Sequence, residues 1–147
     1  MSEISYRGWV FNCDVEATRK AYESIRVGGV EECECSGCGN FLAQRQSVFP
    51  EEVLSLFAAL GVNYQRDAEI YHTARLESGL HLYGGWFHFI GSIVKQPDGP
   101  AKINERFTVD FLVSRDLAAK AFDNQALVQI EIQAEIPWLL KEEKELA

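Results

Sequence analysis

The second half of the chain alternates apolar and polar residues with a period of two, and this pattern constrains the fold more than any other feature of the sequence. The period is clearest over residues 128–136. The even positions are Val128, Ile130, Ile132, Ala134 and Ile136, and the odd positions are Gln129, Glu131, Gln133 and Glu135. Because successive side chains of a strand point to opposite sides, this alternation predicts a strand with one buried face and one solvated face.

Four segments from residue 69 onward are predicted to be strands: EIYHTARL, LHLYGGWFHFIGSIVK, RFTVDFLV and ALVQIEIQAEI. The links ESG and QPDGPA between the first three segments are short, which favours antiparallel neighbours. The longer link, SRDLAAKAFDNQ, is expected to hold a short helix. The second segment has apolar residues at both its odd and its even positions, as expected of a central strand that is covered on both faces.

Helical patterns precede these strands. Residues 51–60 follow Pro50, begin with acidic residues, repeat apolar residues at helical spacing and stop at Gly61. A second helix is predicted over residues 15–25, with Asp14 as its N-cap. YRGWVF is predicted to be a short strand, VEECEC a short extended piece, and NFLAQRQSV a connection with a helical turn. We therefore expect an α+β fold, in which two main helices pack on one face of an antiparallel β-meander of four to five strands.

The chain is about one domain long and acidic. A chain of 147 residues can bury a core without a metal or a disulfide, so residues 1–147 are predicted to form a single α+β domain. The net charge of -8 argues against nucleic acid and anionic membranes as partners, because such a surface gains little from counterion release. No secretory signal or bilayer-length apolar stretch is evident, so a cytoplasmic location with reduced thiols is expected.

The segment EECECSGCGNF places Cys33, Cys35 and Cys38 within six residues of one another. If EECEC is extended, the first two sulfurs share a face, and the turn CSGCG, which has the shape of a zinc knuckle, can bring the third beside them. Structural zinc needs four ligands, however, and Cys13 is the one other cysteine. Three interpretations follow: a zinc or iron site, thiol-redox or sulfur-relay chemistry, and reduced thiols that simply pack.

Three acidic residues flank these cysteines and bear on the choice between the interpretations. Glu31, Glu32 and Glu34 are expected to raise the thiol pKa values, which opposes redox chemistry. The same charges would suit a bound cation. The acidic flank therefore favours the metal interpretation over the redox interpretation.

The segment GLHLYGGWFHFIG allows two geometries. A hairpin at Gly84 and Gly85 would set His81 opposite His88, with Cβ atoms about 5 Å apart. A straight strand would place the two imidazoles on opposite faces, about 23 Å apart. We favour the straight strand, because the hairpin would leave LHLY as a very short strand. The glycines then mark a bulge or a place where a neighbouring aromatic ring covers bare backbone.

Pairing of the straight strand across a two-residue loop predicts its register with the preceding strand. His72 would lie opposite Gly85, and Tyr71 would lie opposite Trp86. The aromatic and imidazole side chains here have two interpretations, an aromatic cluster that stabilises the sheet and a ligand pocket. The residues of the candidate pocket are His72, His81, Trp86 and His88.

The segments CECSGCGNF, GLHLYGGWFHFIG and IPWLL together resemble, over most of the chain, a family of small bacterial proteins of unknown function. This resemblance implies a bacterial-type cytosolic single domain. It implies no activity, cofactor or catalytic residue.

No complete catalytic motif is found: the chain lacks the GxxxxGK[ST], GxGxxG, GxSxG and HExxH patterns. We therefore predict no catalytic residues. The first functional hypothesis is a non-catalytic binding or interaction module, whose acidic charge would neutralise a basic protein partner. The alternative is a metal-binding protein, with zinc or iron, or a thiol-redox protein centred on the CxCxxC segment.

Overall fold

The computed structural model describes residues 1–141, which form helices packed on a seven-stranded antiparallel sheet. The predicted α+β class is confirmed, with more strands than the four to five expected. In chain order the elements are β1 (Ser2–Tyr6), β2 (Trp9–Cys13), α1 (Val15–Ser24), α2 (Gly29–Glu32), α3 (Ser36–Val48), α4 (Glu51–Leu60), β3 (Glu69–Arg75), β4 (His81–Lys95), β5 (Ala101–Asn104), β6 (Phe107–Leu112), a 3₁₀-helix (Lys120–Phe122) and β7 (Leu127–Ile136). Within the described residues, no helix combines the length and the apolar composition needed to span a membrane.

The sheet is organised around β4, which runs unbroken for 15 residues. The strand order is β1-β2-β4-β7-β6-β5, and β3 also pairs with β4. Residues 81–86 bond to both β3 and β7, so these two strands lie on opposite edges of β4, while β2 pairs with residues 91–95. The straight-strand prediction is confirmed, because Gly84 and Gly85 lie inside β4.

Between the stretches that pair with β3 and β2, the backbone of β4 is hydrogen bonded by α1. The Tyr22 hydroxyl donates to the carbonyl of His88 at 2.8 Å and accepts from the amide of His88 at 3.1 Å. The Thr18 hydroxyl accepts from the amide of Ile90 at 3.0 Å. Because buried backbone groups must be paired, these bonds hold α1 against the sheet and replace a missing strand.

The core between the helices and the sheet is rich in aromatic side chains. The predicted apolar face of α4 is buried, and its residues are Val53, Leu56, Phe57 and Leu60. The ring centroids of Phe57 and Phe87 lie 4.9 Å apart, and Phe49 lies 6.0 Å from each of these two rings. Burial of each such side chain contributes about 1.5–3 kcal/mol, so this layer needs no metal or disulfide.

The segment before α4 differs from the prediction. Residues 29–32 form a helical turn instead of an extended piece, and residues 36–48 form a full helix where a connection was expected. A tertiary contact explains the turn: the amide of Val30 donates to the carboxylate of Asp67 at 3.1 Å. The helix α3 was missed because its small and polar residues, SGCGN and QRQS, give it no apolar stripe.

Two hairpins were also missed. The segment predicted as one strand, YRGWVF, contains a turn at Arg7 and Gly8, both with positive φ, and this turn joins β1 to β2. β5 pairs with β6 but has four residues, too few for a clear alternation. These two hairpins account for the excess over the predicted strand count.

The predicted register of β3 is wrong by two residues. His72 lies opposite Tyr83 and Tyr71 lies opposite Gly84, because the turn has three residues and a bulge follows His72. The Tyr71 ring covers Gly84, where an added Cβ would lie 2.4 Å from the end of the ring. The predicted coverage of bare backbone by a neighbouring aromatic residue is thus confirmed.

The two glycines of β4 are expected to differ in their tolerance of a side chain. A Cβ at Gly85 would lie 2.7 Å from the carbonyl oxygen of Glu69, which the β3 ladder holds in place. At Gly84 it would meet the outer end of the half-exposed Tyr71 ring, which can rotate away. Gly85→Ala should therefore lower the free energy of unfolding by about 2 kcal/mol, and Gly84→Ala by less than about 1 kcal/mol, in urea denaturation. An equal or reversed order would contradict the observed register.

Candidate functional site

The three clustered cysteines meet at the start of α3. Cys35 is the N-cap of this helix, and its sulfur accepts a hydrogen bond from the amide of Cys38 at 3.4 Å. The Sγ atoms of Cys33 and Cys35 lie 3.1 Å apart, and the three sulfurs all lie within 4.8 Å of one another. Cys33 and Cys35 are exposed, whereas Cys38 is buried. The predicted convergence of the three sulfurs is confirmed, although a helix start brings it about instead of an extended strand.

Contacts with the sheet hold this helix start in place. The Tyr83 hydroxyl donates to the carbonyl of Gly37 at 2.7 Å. Gly37 packs against His72, and a Cβ at position 37 would lie 3.1 Å from the Cβ of His72. The glycine between the cysteines therefore lets the first turn of α3 approach β3 and β4 closely.

The site makes the three thiols electrostatically unequal. The pKa of the Cys35 thiol is lowered, first because Cys33 donates a hydrogen bond to it and next because the amide of Cys38 does so. Burial, followed by the two neighbouring thiols, raises the pKa of Cys38 well above its usual range. Cys35 is therefore more readily present than Cys38 as a thiolate, the form that acts as nucleophile and as metal ligand.

The expectation that the flanking acids raise the thiol pKa values is wrong for Cys35. Glu31, the third residue of α2, faces the guanidinium groups of Arg45 at 3.4 Å and Arg66 at 3.1 Å. These ion pairs offset its charge. The lowering of the Cys35 pKa comes first from the hydrogen bond of the Cys33 thiol and next from the amide of Cys38 at the start of α3, a helix that the sequence did not reveal.

An imidazole cluster, defined here as His72, His81, Tyr83 and Trp138, lies beside the cysteines. The Nε2 atom of His72 and the Nδ1 atom of His81 are 2.9 Å apart. The ring of Trp138 lies 4.9 Å from that of His81, and the rings of His72 and Tyr83 stack at 4.9 Å. Burial, followed by the nearby His81, lowers the pKa of His72, so the His72 ring is neutral at pH 7.

Asn40, which the sequence analysis did not single out, joins the cysteine helix to the imidazole cluster. Its Nδ2 atom donates to the Tyr83 hydroxyl at 3.3 Å and to the carbonyl of Pro137 at 3.1 Å. Its Oδ1 atom accepts from the amide of Leu139 at 2.7 Å. The fully buried Asn40 thereby holds residues 137–139, including Trp138, against α3. The pairing could not be found in the sequence, because almost a hundred residues separate the partners.

The structure brings two of the four candidate pocket residues together. His72 and His81 touch, whereas the indole nitrogen of Trp86 donates to the carbonyl of Asp116 at 2.9 Å. His88 lies on the opposite face of β4 from His81 and hydrogen bonds to the Gln129 side chain at 3.1 Å.

The remaining cysteine, Cys13, is buried on β2, where its thiol donates to the carbonyl of Leu60 at 3.4 Å.

The comparisons with known proteins found no relative of this chain. No protein-family model matches the chain, and neither a curated protein nor a solved structure matches it. The resemblance based on the sequence segments therefore stays a prediction.

The different pKa values of the thiols predict the order in which they are alkylated. At pH 7, Cys35 should react with iodoacetamide before Cys38, because hydrogen bonds lower the pKa of Cys35 whereas burial raises that of Cys38. Cys33→Ala removes the hydrogen-bond donor and should slow the alkylation of Cys35 several-fold. Cys33→Ser keeps a donor at that place and serves as the matched control. Peptide mass spectrometry over time measures the rates, and first reaction at Cys38 would show that the description of the thiols is wrong.

Proposed function

We propose that the protein binds a thiophilic metal ion, zinc or iron(II), through Cys33, Cys35 and Cys38. The observation that carries the proposal is the convergence of three sulfur atoms within 4.8 Å. With Zn–S bonds of about 2.3 Å, the sulfurs of a tetrahedral site lie about 3.8 Å apart, so small side-chain rotations suffice to bind the ion. The backbone of α3 supports the thiolate form of Cys35 without a metal, through the amide of Cys38.

The donor set has the charge and the access that a metal ion requires. Three thiolates outweigh the charge of a divalent cation, and the exposed Glu32 and Glu34 nearby add attraction. Cys33 and Cys35 are exposed, which provides an entry path, whereas Cys38 anchors the site in the fold. The imidazole cluster lies behind the site, with Tyr83 fixing the peptide of Gly37 between two of the ligands.

The ligand count distinguishes this site from a structural zinc site. Within residues 1–141, the group of converging ligands consists of the three sulfurs. Structural zinc sites have four protein ligands, whereas sites with three keep a position for water or an exchangeable ligand. The hydrophobic core includes the side chain of Cys38 but consists mainly of aromatic and aliphatic side chains, which bury apolar surface without a metal. The proposal is therefore a protein whose metal is accessible and exchangeable, and whose fold does not depend on that metal.

Cobalt(II) titration tests the proposal, because cobalt(II) adopts tetrahedral thiolate sites and absorbs light through thiolate-to-metal charge transfer. Untagged wild-type protein should develop this absorption with one equivalent of cobalt, and zinc should displace it. The variants Cys33→Ser, Cys35→Ser and Cys38→Ser should each bind cobalt(II) at least tenfold more weakly. Cys13→Ala is the matched control and should bind like the wild type, because Cys13 is buried on β2 away from the site. Protein treated with chelator should still melt cooperatively, because the fold does not depend on the metal, although bound metal should raise the melting temperature by mass action.

Thiol-redox chemistry is the second candidate, favoured by the 3.1 Å separation of the Cys33 and Cys35 sulfurs and by the lowered pKa of Cys35. The Cys35 thiolate would attack a disulfide such as oxidised glutathione, releasing one thiolate. Cys33 would then lose its proton and displace the second glutathione thiolate to form the protein disulfide, and that proton passes to a released glutathione thiolate. Metal-free protein that forms this disulfide under oxidised glutathione would support the second candidate over the first. Protein that binds neither metal nor glutathione would contradict both.

The interaction-module hypothesis stays a prediction, motivated by the net charge of -8. A basic protein that is captured at low salt and released at raised salt would support it. Finding no partner at either salt concentration would count against it.

A further inference from the structure

The donor atoms that converge at the start of α3 are three sulfurs. The Sγ atoms of Cys33, Cys35 and Cys38 lie within 4.8 Å of one another, and in the described part of the chain no histidine nitrogen or carboxylate oxygen joins this group. The remaining cysteine, Cys13, is buried on β2. The group therefore offers an ion three bonds, all of them to soft thiol sulfur, which selects soft ions.

The polar side chains around the three sulfurs have partners of their own. The Nε2 atom of His72 lies 2.9 Å from the Nδ1 atom of His81. The Tyr83 hydroxyl donates to the carbonyl of Gly37, and the carboxylate of Glu31 faces two guanidinium groups. An ion that prefers four ligands would therefore take its fourth from solvent, whereas an ion that prefers three would be complete.

The spacing of the two exposed sulfurs is short for a tetrahedral ion. The Sγ atoms of Cys33 and Cys35 lie 3.1 Å apart, whereas bonds of about 2.3 Å at a tetrahedral angle separate two sulfurs by about 3.8 Å. Bonds of that length that meet at a right angle separate them by about 3.3 Å. Trivalent arsenic and antimony prefer three ligands at angles closer to a right angle, because a lone pair occupies the place of a fourth ligand. The number of donors and the spacing of this pair both fit such an ion.

We propose that the cysteine group binds trivalent arsenic, or its heavier congener antimony, through all three sulfurs. The ion arrives as its neutral hydroxide, which for arsenic is arsenous acid. This assignment rests on the proposed function of the same sulfurs as ligands of a thiophilic ion, and it names the class of ion that their number fits best. The lone pair of the bound ion replaces the water or exchangeable ligand that a divalent ion would carry.

Binding of arsenous acid exchanges hydroxide for sulfur without a change of oxidation state. Each step breaks one As–O bond and one S–H bond, forms one As–S bond, and releases the hydroxide and the thiol proton together as water. Three thiols therefore release three water molecules, and no oxidant or reductant takes part. Cys33 and Cys35 are exposed and make the first two bonds, and the buried Cys38 makes the third. This exchange creates no charge at Cys38, whereas a divalent ion would require a thiolate beside the apolar core.

The charge of the complex also favours a trivalent ion. Three thiolates around a divalent ion leave one negative charge, whereas around a trivalent ion they leave none. The flanking acids Glu31, Glu32 and Glu34 outnumber the two guanidinium groups that face Glu31, so the surroundings of the site are themselves negative. Electrostatic repulsion therefore opposes the complex of a divalent ion more than the neutral complex of a trivalent ion.

Intact-protein mass spectrometry of the reduced, untagged wild-type chain with sodium arsenite tests the proposal. One adduct is expected, with the mass of the protein plus one arsenic atom and minus three hydrogen atoms, because three thiol protons are lost. Arsenic bound to two sulfurs would keep a hydroxyl group, and its adduct would be heavier by one water molecule. That heavier adduct alone, or no adduct with arsenite in excess over the protein, would overturn the proposal.

Phenylarsine oxide is the matched probe, because its phenyl group leaves arsenic two bonds to sulfur. Cys33→Ser, a change at an exposed position, should weaken arsenite binding at least tenfold and still bind phenylarsine oxide through Cys35 and Cys38. Cys13→Ala should bind both probes like the wild type, because Cys13 is buried on β2 away from the site. Arsenite binding of wild-type strength in Cys33→Ser would overturn the proposal.

Cobalt(II) titration of the same wild-type sample separates this proposal from the proposed function. Cobalt binding without the three-sulfur arsenite adduct would overturn the arsenic assignment and leave the proposed function standing. The arsenite adduct without cobalt absorption would support the arsenic assignment and overturn the choice of zinc or iron(II). Where both ions bind, arsenite should displace cobalt, and cobalt that stays bound in excess arsenite would contradict a site that prefers three-coordinate ions.

Discussion

The structure depends on the hydrogen bonding of β4 along its whole length. β7 and β3 pair with its first part, β2 pairs with its last residues, and α1 supplies Tyr22 and Thr18 where no strand pairs between β3 and β2. An unpaired stretch of buried backbone would cost more than most side-chain contacts contribute. The position of α1 and the direction of every side chain on β4 follow from this requirement. So does the separation of the His81 and His88 side chains, which point to opposite faces of one strand.

The cysteine site is a product of the junction between α2 and α3. Asp67 caps the turn of α2, Tyr83 binds the peptide of Gly37, and Asn40 ties the first turns of α3 to the chain near Pro137. Asp67, Tyr83 and Pro137 each come from a part of the sequence distant from the cysteines. Together they place Cys35 at a helix start, where hydrogen bonds stabilise its thiolate. The reactivity of this short segment therefore arises from contacts that lie outside it.

Sequence reasoning succeeded where a single physical effect dominates a long segment. The alternation over residues 128–136 and the apolar stripe of α4 each reflect burial of one face, so β7 and α4 were predicted correctly. It failed at α3, whose residues carry no stripe because the helix buries small groups, Gly37 and Cys38, beside Asn40. It also failed at the register of β3, because one added turn residue and one bulge shift every pair.

By itself, the sequence determined the α+β class, the continuity of β4 and the presence of three cysteines close enough to converge, because each depends on local spacing or on burial of one face. The tertiary structure alone decided which atoms those groups meet. Helix α3 turned Cys35 into an N-cap, the bulge in β3 brought His72 against His81, and packing of α2 on Asp67 left one carboxylate oxygen without a donor. The geometry of these contacts depends on tertiary packing and on shifts of one residue that hydrophobic patterns do not encode.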